Sequence, residues 1–401
     1  MKKKAISLIA VVALAMSAQA ANIETDREWY VAGESMRVSI TAQDAVIAYA
    51  ELCDTYGLAA STVVTIKGGK GEATIELPRS LHSGYYVLNT YTRNNARVDN
   101  KLIAVINPLT KSKDDDIKWV EADSCYAQPN GAAELINKKG TDVRETEGHI
   151  IKVRIKNTHV GKTYTEGEIF PVMSVIGKQV KYFEGKTVND STAVFYTDGI
   201  HGKQAFVLAA TTSTGVSLPI EMISPFEALV PKALPHLVFN YKRNEVEARS
   251  LDMQRHQLTM VTDVTPTEYN ETVFGQKPYL SYNLDEYRQF LTIREVLLEY
   301  VSCVTKVKIN GVQKLIVHGN QEYYNKIIPS LVLIDGMPVQ DTERLLRYDA
   351  RRVHHINIYG GHYTFGNNAY KGILSIVTRS GQLTNYPIEH NMQYLEYQFP
   401  E

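Results

Sequence analysis

Three histidines near the end of the chain, His354, His355 and His362, are the side chains whose type and spacing come nearest to suggesting chemistry, since neutral imidazole is a common metal ligand. The first two sit in Arg352-Val353-His354-His355-Ile356-Asn357-Ile358, a run whose Val, Ile and Ile alternate as in a strand. On a regular strand neighbouring side chains point to opposite faces, so His354 and His355 can share one ion only across a bulge. The expectation is surface or loop-packing histidines, with no metal and no cofactor. Asp335 stands before Gly336-Met337-Pro338, which suits a turn former better than a catalytic acid, because Asp bonds its own backbone and Gly accepts φ > 0. Gly68-Gly69-Lys70-Gly71 joins two strands instead of opening a helix, so it is not a phosphate loop. Asp114-Asp115-Asp116 lacks the alternating spacing of a calcium loop. Neither G-x-S-x-G nor H-E-x-x-H occurs, and no catalytic residue is assigned. The chain reads as non-enzymatic.

The elements that would position these residues begin after a processing signal. Lys2, Lys3 and Lys4 precede the short apolar core Ile6 to Met16, and Ala18-Gln19-Ala20 has the small-x-small form of a cleavage site. No later apolar run is long enough to span a bilayer as a helix. Removing the three signal lysines leaves 40 basic residues against 44 acidic ones, a formal charge of −4 that argues against nucleic acid. Cys53, Cys125 and Cys303 form neither a C-x-x-C pair nor a disulfide framework. One bridge, Cys53 to Cys125, is compatible with an oxidising compartment, but buried small hydrophobes describe all three better. The expected location is exported, either periplasmic or associated with the outer membrane.

Short strands recur from residue 22 to 108, among them Met36–Ile40, Val46–Leu52, Ala73–Leu77 and Tyr85–Tyr91, with turn signals every eight to twelve residues. This is the pattern of a β-sandwich. A second β-rich block, assigned to 117–225, holds Ile150–Ile155, Pro171–Gly177 and Ala205–Ala209. Between the blocks, Thr110 to Asp116 reads as a charged hinge. Prolines punctuate 226–289, which reads as a connector with a short helix near Glu245–His256. Thr292-Ile293-Arg294-Glu295 has the capping-box form ahead of an apolar helix face. Asn310-Gly311 between alternating runs marks a hairpin. Leu331–Val339 and Lys371–Gly381 are apolar strands closed by glycine turns, and 387–401 is left as a tail.

Two family resemblances follow from these motifs. Trp29-Tyr30-Val31-Ala32-Gly33-Glu34, with Leu77-Pro78, Ser83-Gly84-Tyr85-Tyr86 and Val105-Ile106-Asn107-Pro108, resembles a macroglobulin MG2-type domain of exported Bacteroidetes proteins over 21–108. None of the three cysteines lies in the thioester motif that covalent trapping in that family requires. The capped helix, Ile334-Asp335-Gly336-Met337-Pro338-Val339, Arg351-Arg352-Val353 with Ile356, and Ile376-Val377-Thr378-Arg379-Ser380-Gly381 resemble the plug domain of TonB-dependent receptors over 290–386. No strands that would build a barrel follow.

The expected architecture is mainly β and multidomain: two immunoglobulin-like or macroglobulin-type sandwiches followed by a small α/β plug-like domain. The resemblances imply a protein partner in the cell envelope, an outer-membrane barrel or a second copy, met through an interaction loop of Asp335, Gly336, His362, Tyr363 and Phe365. The alternative is a glycan- or peptide-binding accessory protein using exposed tyrosines, of which the chain has 25, with Tyr323-Tyr324 and Tyr394 with Tyr397 as candidate clusters.

Overall fold

Alternation of the kind seen in Ser35–Thr41 turns Met36, Val38 and Ile40 to one side, and a sandwich forms when a second sheet meets that side. In the computed structural model, which describes residues 22–400 apart from 44, 111–116, 137, 139–144, 147, 178–179, 263–276, 310, 319–327, 366–367 and 384, this happens twice. The protein is mainly β and multidomain. The signal segment and Tyr323-Tyr324 lie outside the described residues, as does nearly all of the charged hinge. Among the described residues no helix is long and apolar enough to cross a membrane.

In the first sandwich, Asn22–Thr25, Ser35–Thr41 and Lys70–Glu76 form one sheet. Trp29–Val31, Asp99–Ile106, Gly84–Tyr91, Ile47–Cys53 and Leu58–Thr65 form the other. Gly68 and Gly69, both at positive φ, close the two-residue loop between the Lys67 and Lys70 partners, as a type I′ hairpin requires. Ile47–Cys53 is buried along its whole length, because both faces of its sheet are covered. One face meets the partner sheet. The other meets Leu237, Phe239, Val246 and Met253 near Trp29, and Phe226, Leu229 and Tyr397 near Tyr49.

The second sandwich differs from the block assigned to 117–225. Ile117–Glu121 and Tyr126–Asn130 do not join it; they flank His236–Tyr241 in a separate three-stranded sheet on the first sandwich. The 226–289 segment is therefore more than a connector. It supplies that central strand, a helix of 20 residues at Arg243–Thr262 that is longer than the sequence suggested, and Leu280–Asn283, an edge strand of the last domain.

The sandwich itself pairs two sheets. One contains Lys186–Asn189, Thr192–Tyr196, Ile150–Ile155 and Ile220–Ile223. The other contains Tyr182–Glu184, Ile169–Val175, Gly202–Thr212 and Ser217–Leu218. The segment read as a tail completes the second sheet: Gln393–Phe399 pairs antiparallel with Gly202–Leu208 and buries Phe399 in the core. Residues 224–392 thus depart from this sandwich and return to it.

The α/β domain is built on the order Leu280–Asn283, Val353–Phe365, Asn368–Thr378, Leu331–Ile334, Met337–Pro338. Leu331–Ile334 runs parallel to Asn368–Thr378, which needs a crossover; Thr342–Leu346 lies on it. Thr292 accepts from the Glu295 N–H and Glu295 from the Thr292 N–H, so the capping box forms as read, at about 1 kcal/mol of helix stability. Ile293, Val296 and Leu297 of that helix pack on Ile334, Ile356, Leu374 and Ile376. The hairpin Val304–Ile309 with Val312–Val317 closes the same core.

No disulfide links the cysteines: all three are free, Cys53 buried and the other two half-buried. Cys125 Sγ accepts from the Lys242 N–H at 3.1 Å, so it packs beside the helix start.

Candidate functional site

Asp335 and Gly336 form a turn, as expected, with φ of +46° and +94°. Asp335 is buried, and its carboxylate accepts from Thr378 N at 2.7 Å, Thr378 Oγ1 at 2.5 Å and Leu383 N at 2.8 Å. Burial pushes its pKa up, against the downward pull of those donors. The turn also docks on the second sandwich: Gly177 N donates to Asp335 O at 3.0 Å and Ser174 Oγ to Gly336 O at 2.5 Å. A side chain at 336 would meet Val175 O at 2.6 Å, so glycine is needed for the close approach as well as for the φ.

His362, Tyr363 and Phe365 do not join that turn. They lie at the far end of the long hairpin, where His362 pairs with Lys371 and Phe365 with Asn368. Lys371 is seven positions along the strand from Thr378, about 23 Å at strand rise. Here too the neighbour is the second sandwich, with the Phe365 ring 4.8 Å from Tyr182. The two ends of the sheet are joined by Val180, Leu331, Leu333, Tyr359 and Ile373. The residues grouped as one loop are therefore two ends of an intramolecular contact.

Sequence reasoning missed the contact between the two sandwiches. Glu145 sits at its centre, almost wholly buried, within 2.7 Å of the Tyr49 hydroxyl, 3.2 Å of Arg93 and 3.4 Å of His149 Nδ1. His149 Nε2 lies 2.9 Å from the Tyr397 hydroxyl, and the two rings stack at 5.7 Å. Burial pushes the Glu145 carboxyl up, but His149, the Arg93 charge and Tyr49 together hold it below its ordinary 4.5. Burial likewise holds the His149 imidazole below its ordinary 6.5, against the pull of Glu145. Beside them the buried Glu51 accepts the backbone N–H groups of Glu227, Ala228 and Leu229 and the Tyr91 hydroxyl. Lys138 donates to the carbonyls of Thr92, Arg93 and Asn95. Nearly all of these pairs join residues far apart in sequence, which left no local pattern to find.

Two open clefts border these elements, each of about 590 Å³. One is lined by Asp54, Tyr56, His82, Tyr85 and His236, with the Tyr56 ring 91% exposed. The other includes Lys67, His149, Asp198 and His201. Of the remaining tyrosine candidates, Tyr397 is taken up by His149, while Tyr394 is exposed.

No family model matches the chain, and no curated protein does. Among solved structures, 52% of the chain aligns with the native conformation of alpha-2-macroglobulin from Escherichia coli, at 11% identity and a TM-score of 0.20. It aligns over 53% of its length with IG1+IG2 of DIP-gamma, covering 98% of that chain, at 11% identity and a TM-score of 0.16. A putative membrane anchored protein from Corynebacterium diphtheriae matches over 56%, covering 59% of that chain, at 14% identity and a TM-score of 0.20. The chain spans 14% of the length of the E. coli macroglobulin. Likenesses this remote carry no argument about activity, ligand or partner.

The histidine pair corrects the strand argument. The register slips between Val353 and His355, and across this bulge the two imidazoles meet: their Nδ1 atoms are 3.0 Å apart and their ring centroids 4.1 Å apart. His362 lies further along the strand, opposite Lys371. Among the described residues no three His, Cys, Asp or Glu side chains form a metal cage.

Proposed function

We propose that the chain is a non-enzymatic interaction protein of the bacterial cell envelope, exported by its N-terminal signal. A macroglobulin-type and an immunoglobulin-like sandwich form a stiff arm. The α/β domain, plug-like, is the head that docks on an outer-membrane barrel or on a second copy. One observation supports this reading above others. The head's sheet is held from behind by its own chain, at Gly177–Asp335, Ser174–Gly336 and Tyr182–Phe365. Its opposite, helical side presents Leu291 and Leu298, 62% and 76% exposed, on either side of the Thr292 cap. Envelope extract passed over immobilised 21–401 is expected to yield a specific partner, and Leu298→Glu together with Leu291→Glu to lose it. Recovery of nothing from either the membrane or the periplasmic fraction, with native 21–401, counts against the proposal.

A second reading rests on the cleft beside Tyr56. An exposed aromatic ring over a groove with Asp54, His82 and His236 has the composition of a sugar- or peptide-binding surface. Glycan-array binding that disappears in Tyr56→Ala and survives Leu298→Glu separates it from the first.

A further inference from the structure

The bulge at His354 places two imidazole nitrogens where a regular strand would hold them apart, and the surroundings of the pair resemble a chelate more than a chance contact. His354 Nε2 faces Asp285 Oδ2 at 3.6 Å. Asp285 is itself fixed by Arg379, whose Nη2 lies 2.5 Å from Oδ1 and Nη1 3.2 Å from Oδ2. At that distance the carboxylate is just beyond hydrogen-bond reach, but its charge favours a proton on Nε2 and so leaves the Nδ1 lone pair available; a small approach would complete the carboxylate–histidine arrangement that supports metal-ligating histidines. That Nδ1 is the atom facing His355 Nδ1. Both side chains are only part-buried, so an ion can reach them.

From this geometry we infer that His354 and His355 chelate one late first-row divalent metal ion through their Nδ1 atoms, with Asp285 as the outer partner of His354. At metal–nitrogen distances of about 2.05 Å, a separation of 3.0 Å corresponds to an N–metal–N angle of about 95°. That lies close to the square-planar angle preferred by copper(II) and nickel(II); zinc at the tetrahedral angle needs the rings to open by a few tenths of an ångström. Copper(II) should bind most tightly, in line with the general affinity order. The remaining positions go to water or to a donor from another molecule. This site is independent of the interaction surface on the helical side of the head, so either assignment can fail without the other.

The test uses tag-free protein 21–401. Titration with copper(II), nickel(II) and zinc, read by calorimetry and for copper by electron paramagnetic resonance, is expected to give one ion per chain at this pair with nitrogen hyperfine structure. His354→Ala and His355→Ala should each weaken it at least 10-fold. Asp285→Asn should weaken it about 10-fold, as loss of an outer partner does, whereas His362→Ala should leave it unchanged. In the unsubstituted protein, substoichiometric copper(II) should broaden the imidazole resonances of His354 and His355 before those of the other nine histidines. That reading holds whether or not a variant folds. Metal uptake equal in the native protein and the double alanine variant, or first broadening at other histidines, overturns the assignment.

Discussion

Where the first sandwich meets the second, the contact is made of ionisable groups: Glu145, Arg93, His149 and the hydroxyls of Tyr49 and Tyr397. Where the second sandwich meets the α/β domain, the contact is made of backbone carbonyls, Ser174, and the uncharged side chains Val180, Tyr182, Tyr359 and Phe365. The difference is one of conditional against unconditional attachment. Buried ions hold only while each has its partner in the right protonation state, whereas a shape-matched neutral contact depends on fit. The arm should therefore loosen at its own middle before it releases the head.

The comparison breaks most sharply at Glu145. Glu145→Ala removes the buried carboxylate that neutralises the Arg93 charge and should cost about 3 to 5 kcal/mol, seen as a lower unfolding midpoint and as new protease cleavage between the sandwiches. Gly336→Ala attacks the other contact, forcing a side chain into Val175 O at a positive φ; about 2 to 3 kcal/mol is expected. Its cleavage should appear around the head instead, and the same cleavage pattern in both variants would mean that the two contacts are not separate. Asp335→Asn removes one acceptor oxygen of the two that serve Thr378 and Leu383, a loss of about 1 to 3 kcal/mol, measurable by denaturant titration.

Acidity sharpens the contrast. The folded state holds the His149 pKa below 6.5 and the Glu145 pKa below 4.5, so in both cases the unfolded chain binds more protons. The stabilisation is complete above those ordinary values; that of His149 begins to fade as pH drops below 6.5, and that of Glu145 below 4.5. Asp335 behaves in the opposite way: burial raises its pKa, so its stabilisation is present at low pH and fades as pH rises through and above its ordinary 3.8. Thermal unfolding from pH 7 to 5 should thus weaken the native protein, and His149→Gln should flatten that slope. An unaltered slope in His149→Gln would locate the acid sensitivity elsewhere. The smallest effect is expected of Tyr56→Ala, within about 0.5 kcal/mol in stability because the ring faces solvent.

Local chemistry was what the sequence made legible. Ile150–Ile155 alternates in both sequence and structure, Val304–Ile309 forms its hairpin strand, the Thr292 box caps its helix, and Asp335-Gly336 turns where its residue types demand. What stayed hidden was pairing at a distance. Nothing in Gln393–Phe399 shows that its partner is Gly202–Leu208, since any alternating strand of that length offers the same edge. The bulge at His354 was invisible for a related reason: a slip of one residue is fixed by the neighbouring strand and not by the run itself. For the candidate site, residue types pointed to Asp335 and the histidines, but not to Glu145, whose partners Tyr49 and Arg93 lie in a distant stretch of chain, as does Tyr397, the partner of its neighbour His149.

The return of Gln393–Phe399 to the second sandwich also has a consequence in time. A chain that emerges from its N-terminus can finish the first sandwich as soon as Ile106 is free, because every strand of that unit lies before it. The second sandwich must wait, with the edge of Gly202–Leu208 unpaired and the place of Phe399 unfilled, until the whole α/β domain has been delivered. Its folding is thus coupled to delivery of Gln393–Phe399. Until then it presents an open strand edge, and a holding chaperone has its clearest target there.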